Sequence, residues 1–219
     1  MEKTVFFDLE TLPDQSPDAI AEAMGAVKPP ASYKKQESID AWLSENAEIV
    51  AKEAVSKTSF DPARGHICTI AWAVDDGAVT AAHARTIDQE ADVLRAFFAD
   101  IGDHHRKTWV GHFIGGFDIR FLLCRAVVLG VKIPRCIPRD PKPWDKAVFD
   151  TMTAWAGARG TISMDNLAKA LGLSGKDGFD GSMVADAWAN GEHDKIIEYA
   201  KSDVEVARSI WRKFQAVDW

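Results

Sequence analysis

Residues 4–13 read Thr-Val-Phe-Phe-Asp-Leu-Glu-Thr-Leu-Pro, and no other stretch constrains the fold as strongly. A short apolar, partly aromatic run bounded by polar residues is the pattern of a buried strand. Asp8 and Glu10 stand at its end with Leu9 between them. Side chains alternate along a strand, so both carboxylates point to one side, with Cα atoms roughly 6.6 Å apart. Two like charges at the end of a hydrophobic strand repel, and each is costly to desolvate. A cation between them removes both costs. The competing reading is an ordinary polar strand end in solvent.

The 219 residues suffice for one domain, 1–219, with a substantial core and room for an insertion. No apolar run reaches membrane-spanning length, and Glu2 and Asp8 break any signal-peptide pattern. Cys68, Cys124 and Cys136 are odd in number and lack paired metal spacing, so they read as reduced thiols in a cytoplasmic protein. The net charge of −7 argues against coating nucleic acid through a broad basic field. It leaves open an enzyme that holds a few nucleotides in a cleft, because a metal-binding acid cluster itself contributes negative charge.

Along the chain, Asp14 to Lys35 reads as irregular, and Gln36 to Lys57 as a helix capped by Ser38 and inserted after the first strand. His66 to Val74 is a strongly apolar strand; Asp75-Asp76-Gly77 turns it into a third strand near Val79 to Thr86. A helix from Asp88 to Ile101, a strand at Thr108 to Gly111 and a helix from Phe117 to Leu129 ending at Gly130 follow. The fifth strand is expected at Ala147 to Phe149. Beyond it, Ser163 caps Met164 to Leu171, Ser182 caps Met183 to Ala189, and a long helix runs from Asp194 to Phe214. The class is α/β: a mixed five-stranded sheet flanked by helices, with a helical insertion after the first strand.

Two further stretches supply what Asp8 and Glu10 lack. In Trp-Val-Gly-His-Phe-Ile-Gly-Gly-Phe-Asp, residues 109–118, Asp118 falls in the first turn of a helix, where the dipole favours a carboxylate. In Ile-Ile-Glu-Tyr-Ala-Lys-Ser-Asp, residues 196–203, Tyr199 and Asp203 lie one turn apart on the face that carries Ile196, Val206 and Ile210. An aspartate on an inward stripe is rare unless paired or metal-bound.

In this order, Asp-Leu-Glu-Thr (8–11), Gly-Gly-Phe-Asp (115–118) and Tyr-x-x-x-Asp (199–203) resemble the three motifs of DEDD-type 3′–5′ exonucleases. Tyr199 points to the DEDDy subgroup; the position that would carry histidine in the DEDDh subgroup is Glu198. The chain is similar to the stand-alone exonucleases related to the proofreading domain of family-B DNA polymerases. Phe60-Asp61-Pro62, Asp150-Thr151-Met152, Leu167 to Leu173, Asp180-Gly181-Ser182 and Trp188 to Gly191 extend the likeness over nearly the whole chain.

The resemblance implies an RNase H-like fold and two-metal phosphodiester hydrolysis with Mg²⁺ or Mn²⁺. It assigns Asp8, Glu10, Asp118 and Asp203 to the metals, Asp8 bridging, and gives Tyr199 the orienting of the attacking water. It places Thr11, Leu12, His112, Phe113 and Phe117 near the substrate, Leu12 as an apolar wedge or as ordinary core. Relatives usually carry asparagine where this chain has Phe113, which puts one polar contact to substrate or loop backbone in doubt. The implied partner is single-stranded DNA with a free 3′ end, and beyond it a polymerase or other replication or repair protein. An exoribonuclease on the same scaffold is the alternative.

Other features were open. Most of the eight tryptophans sit within apolar periodicity and read as core; Trp155, after Asp150-Thr151, is the candidate for base stacking, and Asp150 reads as a helix N-cap or as a fifth acid. Lys132, Arg135, Arg139, Lys142 and Lys146 form a loose basic loop, either solvated or following a phosphate backbone. The Gly172–Gly178 loop lacks Walker spacing after Lys176. A phosphatase of the haloacid-dehalogenase type, with Asp8 as nucleophile, leaves Asp118, Tyr199 and Asp203 idle, and a non-catalytic nucleic-acid-binding module would need no complete ligand set.

Overall fold

A computed structural model describes residues 3–103, 107–142, 144–173 and 178–219; Lys176 of the glycine-rich loop lies outside them. The chain divides into two compact units, Met1–Thr11 with Ile67–Trp219, and Leu12–His66. The smaller unit is the insertion expected after the first strand.

The sheet has five strands: β1 (Lys3–Leu12), β2 (His66–Val74), β3 (Thr80–His83), β4 (Lys107–Gly111) and β5 (Val148–Asp150). Their order is β3-β2-β1-β4-β5, so β1 lies at the centre. β4 runs parallel to both β1 and β5, while β2 and β3 form the antiparallel hairpin. Alternation along β1 sorts its side chains between two cores. Val5, Phe7 and Leu9 pack with α3 (Glu90–Ile101) and α4 (Asp118–Val128), where the Phe7 ring lies 5.5 Å from those of Phe97 and Trp109. Phe6 turns to the opposite face and packs with Val110 and with Ala200 and Val204 of α8 (His193–Gln215).

The smaller unit contains α1 (Ala19–Ala26) and α2 (Gln36–Ser56). The helix α1 departs from the irregular segment expected there. Pro17, Pro29 and Pro30 all fall outside its Ala-rich span, so they bound the helix instead of breaking it. Helix α2 begins two residues before Ser38, flanked by extended Lys35 with no side-chain cap. Another cap also moves. Asp180, not Ser182, accepts the Ser182 N–H at 2.8 Å, and Gly181–Met183 form a 3₁₀ turn ahead of α7 (Val184–Ala189). An extra short helix, α5 (Thr151–Ala156), follows β5, and α6 (Met164–Ala170) is capped by Ser163 as expected.

One buried ion pair joins three elements of the larger unit. Glu90 on α3 and Arg125 on α4 are 1% and 4% exposed and meet at 2.7 Å through both guanidinium contacts. The same Glu90 carboxylate accepts the Ile67 N–H of β2 at 2.9 Å. Removing one partner leaves the other charge buried, at a cost of about 3–5 kcal/mol. Arg125→Ala is therefore expected to lower the urea midpoint sharply. Adding Glu90→Gln in the same chain should recover part of the loss; a midpoint unchanged by Arg125→Ala would show that the pair is not a stabilising link.

Candidate active site

Parallel pairing brings several strand ends to one rim of the sheet. Phe6 lies opposite Val110, Val110 opposite Phe149, and Gly111 opposite Asp150. The carboxyl ends of β1, β4 and β5 therefore point the same way, the arrangement in which open α/β sheets bind ligands. Asp8 and Glu10 follow Phe6 at alternate positions, on the side that α8 covers. One carboxylate oxygen from each of Asp8, Glu10 and Asp203 lies within 4.8 Å of the others. Glu10 and Asp203 are buried, and Asp8 is half-buried.

Tyr199 sits one turn before Asp203, and its phenol donates a hydrogen bond to that carboxylate. Its ring packs against Phe179, with centroids 5.0 Å apart. Burial, and after it the charges of Glu10, Asp203 and Asp8, push the phenol far above its ordinary range. The hydroxyl therefore stays protonated at any physiological pH and acts as a donor.

Asp118 opens α4 and is 5% exposed; its Oδ1 accepts the Leu9 N–H of β1 at 3.1 Å. It stands outside the group of three, yet it feels the charges of Asp150 and Asp203. Burial first, and these neighbours second, push its carboxyl up to about 7. So many carboxylates in one largely dry place carry a large repulsion. The hard oxygen donors of Asp8, Glu10 and Asp203 are compatible with a divalent cation such as Mg²⁺ or Mn²⁺ and ill-suited to Zn²⁺.

The other expected positions fare differently. Thr11 is half-buried at the end of β1, whereas Leu12 is fully buried and offers no surface to a base. His112 turns both ring nitrogens to the protein, Nδ1 to the Thr151 hydroxyl and Nε2 to the Ile162 carbonyl, each at 2.9 Å. Phe117 packs its ring 5.3 Å from Phe121. Phe113 has a left-handed backbone, φ 60°, and remains 46% exposed. Asp150 has a larger part than the sequence suggested. Besides capping α5 through the Met152 and Thr153 N–H groups, it accepts the Phe113 and Gly115 N–H groups, all at 3.0–3.1 Å. Its cap role was visible in Asp-Thr-Met; its grip on the loop before Asp118 carries no local sequence signal.

Residues 64–218 match the model of a family described as predicted 3′–5′ exonucleases related to the exonuclease domain of PolB. The chain belongs to that family. The matched span holds Asp118, Tyr199 and Asp203, while Asp8 and Glu10 precede it. In fold the chain is similar to the family B DNA polymerase from the hyperthermophilic archaeon Pyrobaculum calidifontis, with a TM-score of 0.63 and 17% identity. The match covers 98% of this chain and 25% of that polymerase, so the exonuclease-family chain spans a quarter of its length. The architecture is thus that of the PolB exonuclease domain, an RNase H-like fold. No curated protein matches the chain. Among the described residues, no helix is long and apolar enough to cross a membrane.

The raised Asp118 carboxyl makes apo stability depend on pH. Folding favours its neutral form, so between its ordinary value of 3.8 and about 7 the folded chain holds a proton that the unfolded chain releases. This contribution is present at low pH and is lost as pH rises through about 7. In EDTA the melting temperature should therefore fall from pH 6 to pH 8. Asp118→Asn should flatten that fall and raise the pH 8 value by several degrees. Parallel curves for variant and wild type would assign the proton to another group.

Proposed function

We propose that residues 1–219 form a single metal-dependent exonuclease domain that removes 5′-mononucleotides from the 3′ end of single-stranded DNA. The observation that carries this reading is the convergence of Asp8, Glu10 and Asp203 within 4.8 Å, beside buried Asp118 and a protonated Tyr199. Membership of the exonuclease family supports the reaction type and direction. Likeness to a DNA polymerase favours DNA as the substrate.

Asp8, Glu10 and Asp203 would hold one divalent ion, and Asp8 with Asp118 a second. Such ions, when bound, supply the charge that offsets the phosphate and lower the pKa of water. The protein's own groups do the rest. Tyr199 donates a hydrogen bond from a fixed position on α8 and orients a water without taking its proton. The Leu9 N–H holds the Asp118 carboxylate toward the rim. Asp150 ties down the loop that delivers Asp118 by accepting two of its backbone N–H groups.

The test is a 5′-labelled single strand, as DNA and as RNA, incubated with Mg²⁺ or Mn²⁺. A ladder shortening from the 3′ end is expected on DNA, and none with EDTA. Asp8→Ala and Asp203→Ala should reduce turnover to background while the fold persists. Tyr199→Phe, which loses one positioned donor, should retain activity lowered roughly 10²-fold. Full activity in Asp8→Ala would overturn the mechanism, and a ladder confined to RNA would reassign the substrate.

A further inference from the structure

Two adjoining hollows run along β5 beside the carboxylates. The smaller, about 200 Å³, is lined by Phe113, Gly116 and Lys142. The larger, about 830 Å³, runs on past Trp144, Lys146, Trp211 and Trp219. The two share Val148, Asp150, Thr153 and Ala158, so they are continuous. Asp150 marks the end nearer the carboxylates, since it accepts at 3.1 Å the Gly115 N–H of the loop that leads into Asp118.

Three aromatic rings of this groove turn much of their surface to solvent, although Trp219 also meets the Phe214 ring edge-on at 5.2 Å. Trp144 is 80% exposed, Trp219 70% and Phe113 46%. Large exposed apolar groups gathered in one depression mark a binding surface. Phe113 in addition holds a left-handed backbone, a strain that persists only where the surroundings impose it. Asp150 is what imposes it, through the Phe113 and Gly115 N–H groups. The ring lies directly over Gly116, where an added Cβ would stand 2.2 Å from it.

Charge and aromatic surface together choose the occupant. Lys142 and Lys146 line the groove beside Asp145 and Asp150, and the segment 132–146 that supplies the lysines has five basic residues against two acidic ones, in a chain of net charge −7. Lys142 is paired with Asp140 at 2.6 Å, but both are exposed, and such pairs give way readily to a phosphate. Asp145, which also lines the groove, accepts the Lys142 N–H at 3.3 Å. Exposed aromatic faces beside lysines suit a strand with unpaired bases.

We propose that this groove holds the 5′-ward part of a single strand whose 3′ end lies at the carboxylates, with bases against Phe113, Trp144 and Trp219 and phosphates toward Lys142 and Lys146. The inference rests on the exonuclease reading and adds to it a track outside the reaction centre. Hydrolysis should therefore favour oligonucleotides long enough to fill the groove over dinucleotides.

The experiment measures binding of fluorescent oligo(dT) to the Asp203→Ala protein in EDTA, and separately kcat/KM of otherwise wild-type protein on a dinucleotide and on a 12-mer. Trp144→Ala is expected to weaken binding roughly tenfold, the loss of one base stack. Lys142→Ala and Lys146→Ala should each reduce the slope of log K against log salt by about 0.7. All three should lower the ratio of 12-mer to dinucleotide kcat/KM, and Lys195→Ala, a charge removed elsewhere, should leave binding as it was. An active wild type whose binding, salt slope and length preference ignore all three groove substitutions would overturn the track and leave the groove to another class of partner, such as a peptide strand on the β5 edge. Absence of nuclease activity in the wild type would instead strike at the exonuclease reading itself.

Discussion

Everything at the rim depends on one repulsion: Asp8, Glu10 and Asp203 are held within 4.8 Å of one another where water is scarce. Carboxylates do not gather this way unaided, because each would lower its energy by moving into solvent. The scaffold prevents that. The central strand β1 is clamped by parallel pairing to β4 and by Phe7 against Phe97 and Trp109, so Asp8 and Glu10 cannot turn outward without dislodging the core. On the other side, α8 is fastened by Ala200 and Val204 on Phe6 and by Arg208, whose guanidinium donates to the Gly77 carbonyl at 2.7 Å. Hydrophobic packing on both faces thus supplies the free energy that keeps the acids together.

A second layer of support keeps Asp118, the acid of the second motif, in place. Asp118 is reached through a glycine-rich loop, and such loops wander unless their backbone groups are bonded. Asp150 supplies the bonding from a neighbouring parallel strand and caps α5 with the same carboxylate. His112 bridges from that loop to Thr151 and to the Ile162 carbonyl, which ties the loop after β4 to α5 and to the segment before α6. The charge of Asp150 also helps to hold the Asp118 carboxyl near its neutral form. Support and electrostatic tuning therefore come from one residue.

The parts of this arrangement that sequence made legible are those set by short-range periodicity. Alternation alone puts Asp8 and Glu10 on one side of β1, and the four-residue spacing alone puts Tyr199 above Asp203 on the inward stripe of α8. The strand His66–Val74 is apolar enough to be read without a partner. What escaped was non-local. Nothing around Glu90 signals that its partner lies 35 residues on, and nothing around Asp150 signals a bond to Phe113 37 residues back. Helix α1 was obscured because the prolines on either side weigh heavily in a window that its eight residues barely fill. Leu12 is ambiguous by type, since a wedge and a core residue look alike in sequence; in this structure it is fully buried.

On the proposed exonuclease reading, an acidic chain would meet a polyanion, which raises a problem of range as well as of contact. At physiological ionic strength charges separate electrostatically beyond about 8 Å, so a strand responds to the groups it passes and not to the net −7. The acids are spread along the sequence, while Lys142 and Lys146 at the β5 groove offset Asp145 and Asp150 there. Glu90 is answered by Arg125 at 2.7 Å, whereas one oxygen from each of Asp8, Glu10 and Asp203 lies within 4.8 Å of the others. The same fold thus arranges two acidic sites differently: in one a carboxylate meets an internal guanidinium, and in the other three carboxylates gather within reach of one another. That contrast, more than the number of acids, separates a structural carboxylate from one suited to hold a metal ion.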